Sequence, residues 1–338
     1  MQQALSPMHC IYCQSEEVVK NGSKTLKSDQ VVQRYLCKTC GRRFNERSGT
    51  PMARLRTPAA TVEMALNARG EGLGIRAAAR VVGTSPSSIS AWEERLSSHL
   101  PAWSPPAPEG GEVTIEGDEL YTRVGENLPP EASEGWTISF IERESRYWLE
   151  ASAGLKAAQL FEQGVERAWQ WAVSSAWIRW FTDGERRYGK ELWKLASVYL
   201  PSHLTSEAYP YQKVWREGLE VAIKIKGSQG KARVEWLQVE HPWTAMSSIA
   251  EVHANHLEAF NSALRRRATA YRRRQNHYAK QLEGLQRALN VQRLIHNWVR
   301  PHWSLGKART PAMAMGFIQR PLKISEILLS RGFEWITP

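Results

Sequence analysis

No run of about 18 apolar residues occurs in this chain, which excludes a membrane-spanning helix as an organising element. The opening MQQALSPMHC lacks the charged-then-apolar order of a secretory signal, so the expectation is a soluble, cytoplasmic protein with no membrane partner. Cysteine is absent beyond residue 40, so no disulfide scaffold holds the bulk of the 338 residues. Aspartate is nearly absent too: of 34 acidic residues, only Asp29, Asp118 and Asp183 are Asp. Where almost every acid is Glu, a short rigid carboxylate at the end of a strand-like run points to a geometric requirement. Asp118 stands in such a setting in VTIEGDEL, and Asp183 in AWIRWFTDG.

What is abundant is positive charge, unevenly spread. The net charge is +11. Residues 1–100 carry 14 basic and 8 acidic side chains, residues 258–309 carry 12 and 2, and residues 101–257 carry 16 and 22. Basic flanks around an acidic middle suit a polyanion held by the flanks while central carboxylates hold cations. Tryptophan is also plentiful, and 11 of 15 lie between Trp103 and Trp243. That density predicts a Trp-rich core, with base stacking by one or two of them left open.

The four cysteines form two pairs, Cys10-Ile11-Tyr12-Cys13 and Cys37-Lys38-Thr39-Cys40, separated by 23 residues. Each pair can form a tight knuckle and both together a tetrahedral thiolate site for one structural Zn²⁺, so residues 1–50 read as a zinc ribbon. Disulfides are the alternative. Two short strands with a polar turn are expected between the pairs. Lys24, Lys27, Arg42 and Arg43 suit phosphate contact, although a ribbon can equally bind protein.

Residues 51–100 are helical in pattern. Ile75 to Val82 is an Ala-rich helix, Gly83 permits a sharp turn, and Ser85-Pro86 supplies an N-cap followed by proline at the first helical position. Ile89, Trp92 and Leu96 then face inward, leaving Ser87, Ser88, Ala91 and Arg95 outward. This is the layout of a helix-turn-helix whose second helix reads the major groove, with a plain helical hairpin as the other reading. Residues 101–112, PAWSPPAPEGGE, form a proline-rich linker that marks a domain boundary.

Residues 113–275 predict a catalytic domain. Strands are expected at 112–115, 136–142 and 146–151, a helix from 156 to about 172, and a strand at 176–181. Three strands, a helix and a further strand is the order of a ribonuclease H-like fold, in which Asp118 closes the first strand and Asp183 the fourth. From 252 to 274 the pattern is helical again, with Leu257, Phe260, Leu264, Ala268 and Tyr271 on an apolar stripe. Beside it run Glu258, Ser262, Arg265, Thr269 and Arg272, with Arg266, Arg267, Arg273 and Arg274 alongside. Asp118, Asp183 and Glu258 converging in space would make a site for two Mg²⁺ ions, which take oxygen ligands and need no histidine. Glu119 and Glu251 stand outside that set. Between them, residues 185–250 hold a hairpin with Val221, Ile223 and Ile225 on one arm and Val234 and Trp236 on the other, which is either an insertion or supplies the fifth strand. In residues 276–338, Tyr278, Leu282, Leu285 and Leu289 continue helical spacing. That helical region, flanked by Arg287, Arg293 and Arg300, either packs on the catalytic domain and adds phosphate contacts or mediates dimerisation. The fold class read from the whole is a multidomain α+β chain.

These residues carry a resemblance. Asp118-Glu119 with Val124-Gly125, Thr182-Asp183-Gly184, and Glu258 followed by Arg265 are similar, in that order, to the acidic motifs of DDE transposases of bacterial insertion sequences, and among them to the insertion sequence 1 family. Asn297-Trp298-Val299-Arg300-Pro301-His302 with Leu305, Thr310 and Pro311, and the ribbon and helix-turn-helix in front, resemble that family as well. The resemblance implies a DNA transposase that binds double-stranded transposon ends and target DNA, nucleoid-associated, acting as a homodimer or larger homo-oligomer. It also implies phosphodiester hydrolysis and strand transfer by Asp118, Asp183 and Glu258, with Arg265 holding a phosphate and Arg272 and Arg273 adding DNA contacts. A catalytically inactive DNA-binding regulator derived from such an enzyme is the alternative. The spacing of 75 positions from Asp183 to Glu258 is longer than this family leads one to expect.

Overall fold

The computed structural model of the chain describes residues 9–26, 31–201, 211–226, 234–239, 247, 248, 250–272 and 277–336. The cysteine-bearing part holds β1 (Val18–Thr25), β2 (Val31–Cys37) and β3 (Arg43–Asn45) in one antiparallel sheet. Both strands expected between the cysteine pairs are there. β3 joins them because Phe44 turns inward after the second pair and stacks on Tyr35 at 5.5 Å between ring centres.

Three helices follow, α1 (Ala59–Gly70), α2 (Ile75–Val82) and α3 (Pro86–Ser98). Gly83 ends α2 with φ at 72°, a left-handed conformation glycine adopts without a Cβ penalty. Ser85 caps α3 by accepting the Ser88 N–H at 3.0 Å. Ile89, Trp92 and Leu96 are buried, as their spacing requires. The proline-rich residues 101–112 are packed rather than loose. Trp103 is fully buried edge-on against Trp298, whose Nε1 donates to the Trp103 carbonyl at 3.0 Å, and the Ala107 N–H donates to the Trp171 carbonyl at 2.9 Å. Apolar side chains of α1–α3 and of the central sheet thus belong to one continuous core. The proline content marks a change of pattern, not a gap in packing.

The central sheet is built from β4 (Glu112–Tyr121), β5 (Trp136–Glu142) and β6 (Trp148–Gly154), then α4 (Ala158–Ala172), β7 (Trp177–Thr182) and α5 (Arg186–Ala196). A small hairpin of β8 (Ser197–Pro201) and β9 (Tyr211–Trp215) leads to β10 (Leu219–Lys226) and β11 (Val234–Val239). The six-stranded order is β11-β10-β7-β4-β5-β6, with β4, β7 and β10 mutually parallel and β5, β6 and β11 antiparallel to their neighbours. β10 is therefore the arm of the expected hairpin that supplies the fifth strand, and β11 adds an edge beyond it.

Helices cover both faces. On one, α4 and α5 pack Phe161, Val165, Tyr188 and Leu192 with Val113, Ile115 and Phe140. On the other, α6 (Asn255–Arg267) and α7 (Leu282–Leu294) pack Leu257, Phe260, Leu264, Leu285 and Leu289 against Leu120, Ile141 and Trp148. The expected helix at 252–274 is thus shorter, with a single 3-10 turn at Thr269–Tyr271 after it, but its apolar stripe is buried throughout. α8 (Pro311–Ala314) and α9 (Ile324–Leu329) close the chain. Trp103, Trp148, Trp180 and Trp298 are essentially fully buried, each contributing on the order of 2–3 kcal/mol by area removed from water. Among the described residues no helix is long and apolar enough to cross a membrane.

Candidate active site

The four thiols converge. Cys10 and Cys40 Sγ lie 3.6 Å apart, as do those of Cys13 and Cys37, and all four cysteines are free. A tetrahedron with metal–sulfur bonds of about 2.3 Å has edges of about 3.8 Å, so four thiols so placed can hold a zinc ion. The backbone prepares them for it: the Tyr12 N–H points at Cys10 Sγ and the Cys40 N–H at Cys37 Sγ. That second contact, reinforced by the neighbouring thiols, outweighs burial and draws Cys37 down to about 6, toward the thiolate a metal needs.

A second cluster forms where β4 outruns β7. β7 ends at Thr182, opposite Gly117, and the Asp183 N–H still reaches the Gly117 carbonyl at 3.3 Å. A Cβ at Gly117 would sit 2.6 Å from the Phe140 ring and 2.9 Å from Thr182 Cγ2, so only glycine lets the strands and the underlying ring close up here. β4 runs on to Tyr121, paired with β5, which corrects the expectation that Asp118 closes its strand: Asp118 lies within it, opposite Ser139. Asp118, Glu119 and Asp183 each present an oxygen within 4.8 Å of the others, a set that can bind a metal cation. Asp183 Oδ1 also accepts the Glu185 N–H at 3.0 Å, which fixes the turn into α5.

Glu119 is thus inside the acid cluster, which corrects its assignment outside it. Burial, together with the Asp183 charge, pushes its carboxyl up to about 7, against the Lys156 ammonium 2.9 Å away. Lys156 in turn sits over the Trp136 ring at 4.2 Å. Nothing in the spacing of the sequence singles out Lys156. Asp118 and Glu119, neighbours on a strand, point to opposite faces, yet Asp183, just past the end of β7, brings an oxygen within 4.8 Å of both.

Glu258 is not in this cluster. It occupies the first turn of α6 and is exposed, whereas Asn261, one turn on, is 3% exposed and donates from Nδ2 to Asp118 Oδ2 at 2.9 Å. The register explains this. α6 has no side-chain cap of its own, and Glu116 of β4 supplies one, its Oε2 accepting the Leu257 N–H at 2.8 Å. Two strand residues rise about 6.8 Å and four helical residues about 6.0 Å, so Glu116 meeting Leu257 brings Asp118 to Asn261. Burial would raise the Glu116 carboxyl, but the His256 ring at 2.9 Å, the Leu257 N–H and Arg143 at 2.7 Å hold it below the usual range. His253 stands 3.9 Å away, completing a Glu-His-His group that could itself be a metal site on donor type alone. Arg143 already supplies the cation there. Glu251, expected to stand outside the set, is exposed and accepts hydrogen bonds from Ser248.

The expected DNA contacts divide. Arg42 and Arg43 are exposed on the cysteine-bearing unit, Arg42 lying 5.0 Å over Tyr12. Ser87 is exposed at the start of α3, with Ser88 half-buried behind it, both hydrogen-bonded to Ser85. Arg95 does not face outward: its Nη1 donates to the Pro51 and Ala53 carbonyls at 3.2 and 2.9 Å, tying α3 to the segment before α1. Arg265 is half-buried on α6, and Arg272 donates to the Arg266 carbonyl at 3.1 Å. Arg273, Arg274 and Lys27 lie outside the described residues. The last region packs on the central sheet through Leu285 and Leu289, and three of its arginines are held by protein acids and carbonyls. Arg293 is buried against the Trp148 and Leu149 carbonyls and Glu150, Arg287 pairs with Glu94 at 3.1 Å, and Arg300 pairs with Glu71.

Compared with known proteins, the chain matches no protein-family model and no curated protein.

Proposed function

We propose that the chain is a DNA transposase of the DDE type. The observation that carries this reading is the meeting of Asp118, Glu119 and Asp183 where β7 ends beside the parallel β4, from positions 65 residues apart in a chain nearly devoid of Asp. The strand order β6-β5-β4-β7-β10, with β5 running against the other four, supports a ribonuclease H-like domain. The capped α2–turn–α3 unit supports a helix-turn-helix that selects the end sequence. A zinc ion at the four thiols would hold the first unit together.

Two Mg²⁺ ions at the acid cluster would activate the attacking oxygen and stabilise the leaving one. The geometry supports Glu119 over Glu258 as the acid accompanying Asp118 and Asp183. Asn261 keeps Asp118 from swinging away, and Lys156 does the same for Glu119. In the first step a water oxygen bonds to the phosphorus at the transposon end and the bond to the 3′ oxygen breaks, leaving a 3′-hydroxyl. In the second that hydroxyl attacks a target phosphorus and the target's own 3′ oxygen leaves.

The test is metal-dependent nicking and joining on end DNA found by binding-site selection. Asp118→Asn and Asp183→Asn should lose at least about 100-fold in both steps while still binding ends, and Glu119→Gln should lose more than Glu258→Gln. Full activity in Asp183→Asn would end the enzymatic reading. End binding with no cleavage by the unmodified protein under any divalent cation would favour a DNA-binding regulator.

A further inference from the structure

A cleft of about 810 Å³ opens between α2 and the segments that precede and form α7. Its walls are tied together. Arg69 Nη1 reaches Thr269 Oγ1 at 3.4 Å, Gln292 Nε2 bridges to the Arg69 and Arg267 carbonyls at 3.4 and 3.3 Å, and a Cβ at Gly72 would collide with Arg272 at 2.5 Å. The floor is apolar, from Ala268, Tyr271, Leu285 and Leu289.

The rim is cationic, and its charges differ in kind. Arg69 and Arg287 are neutralised by Glu93 at 2.7 Å and Glu94 at 3.1 Å. Arg76, Arg80 and Lys280 line the same cleft, are exposed, and have no ion pair among the described residues. Lys280 lies 3.8 Å from the centre of the Tyr278 ring, and Arg123 stacks on that ring at 4.0 Å. Unneutralised cations held by a ring at the mouth of a cleft lower the energy of an anion there.

The cleft also lies along the same strand as the acid cluster. Three residues past β4, Val124 bridges to Ala279 in the cleft wall, and Thr122 donates to the Ala270 carbonyl. From Asp118 to Val124 the chain spans at most about 20 Å, the reach of a few nucleotides along a strand.

We propose that this cleft holds the phosphates of a DNA strand on its way to the acid cluster, so that Arg76, Arg80 and Lys280 form a DNA-binding surface joining the three-helix unit to the sheet. This rests on the DNA-processing reading above. The test uses the full chain and a fluorescent random-sequence duplex, with affinity followed by anisotropy across a KCl series. Each phosphate neutralised contributes about −0.9 to the log–log slope, so the triple variant Arg76→Ala, Arg80→Ala, Lys280→Ala should flatten the slope by about 2–3 and bind at least about 10-fold more weakly at low salt. The control variant Lys190→Ala, Lys213→Ala, on the α5 side, should leave the slope unchanged. All three cleft side chains are exposed and have no ion pair among the described residues, and an unaltered thermal transition in the triple variant separates lost binding from lost fold. An unchanged slope in a folded triple variant overturns the cleft while leaving DNA binding intact. Displacement of the duplex by micromolar ATP would put a free nucleotide in the cleft and overturns the strand. Failure of the unmodified chain to bind duplex at low salt overturns the DNA reading itself.

Discussion

Replacing Asp183 with Asn removes one charge from the acid cluster and almost nothing else. The side chains are isosteric, and the amide oxygen can still accept the Glu185 N–H that Asp183 Oδ1 accepts at 3.0 Å. Without a cation, two carboxylates with oxygens within 4.8 Å repel by about 3 kcal/mol at an effective dielectric of about 20. Lys156 offsets part of this for Glu119. With its carboxyl pushed up to about 7 by burial and the Asp183 charge, Glu119 is itself only about half ionised at neutral pH. The relief on neutralising Asp183 is therefore about 1–3 kcal/mol, and the metal-free variant should melt about 2 °C or more above the unmodified protein. Magnesium should reverse the ranking. A cation held tenfold above its dissociation constant stabilises the native state by about 1.4 kcal/mol, and this increment should be missing from Asp183→Asn. The assay is thermal unfolding with and without MgCl₂, with no chelator, since a chelator would also remove a metal held by the four thiols. A metal-free variant less stable than the unmodified protein, or one that keeps the full magnesium increment, would refute the idea of a cation site under charge repulsion.

Two further outcomes are expected. Purified protein should carry about one zinc per chain, and Cys37→Ser should lose it and unfold β1–β3 while the transition of the central sheet persists, because a thiolate site supplies the folding energy of so small a unit; metal-free protein, or a Cys10–Cys40 disulfide in mass spectra, would contradict this. His296 is 3% exposed, and burial holds it down to about 3 despite its contact with the Arg146 carbonyl at 2.8 Å. The unfolded ring, near 6.5, takes up protons first, so its stabilising contribution is complete above pH 6.5 and is lost on acidification, by about 2 kcal/mol at pH 5. Urea unfolding at pH 7 and pH 5 should show that loss in the unmodified protein and not in His296→Gln; equal losses in both would dismiss the histidine.

Periodicity made much of this fold legible before any coordinates. Leu257, Phe260 and Leu264 repeat at helical spacing because one face of α6 must be buried, and all three are. Gly83 and Ser85-Pro86 marked the α2–α3 turn because backbone geometry and capping restrict those positions to few residue types. Asp118 and Asp183 stand out because only one other acid in the chain, Asp29, is not Glu. What was hidden is what depends on partners distant in sequence. Arg95 has the helical phase of an outward residue, yet a guanidinium is long enough to turn back onto the Pro51 and Ala53 carbonyls, and no pattern within α3 encodes that. Likewise Arg293, charged and in a basic stretch, is buried because the Trp148 and Leu149 carbonyls and Glu150 await it.

The third acid shows where sequence motifs and physical register part. Read along the helix, Glu258 is the one carboxylate on a cationic surface and the natural partner for two aspartates. Read across to the strand, α6 is positioned by Glu116, whose carboxylate caps the Leu257 N–H and binds Arg143 and His256. That anchor sets the phase of every later residue. With Leu257 over Glu116, a rise of about 6 Å carries Asn261 to Asp118 and turns Glu258, 100° beyond Leu257, toward solvent. The Glu116 cap and the contact of Phe260 with Trp148, where the rings lie 4.6 Å apart, fix the rotation of α6 about its axis. With the helix so phased, it is Asn261 that bonds Asp118, and the acid whose oxygen lies within 4.8 Å of those of Asp118 and Asp183 is the one β4 already carries, Glu119.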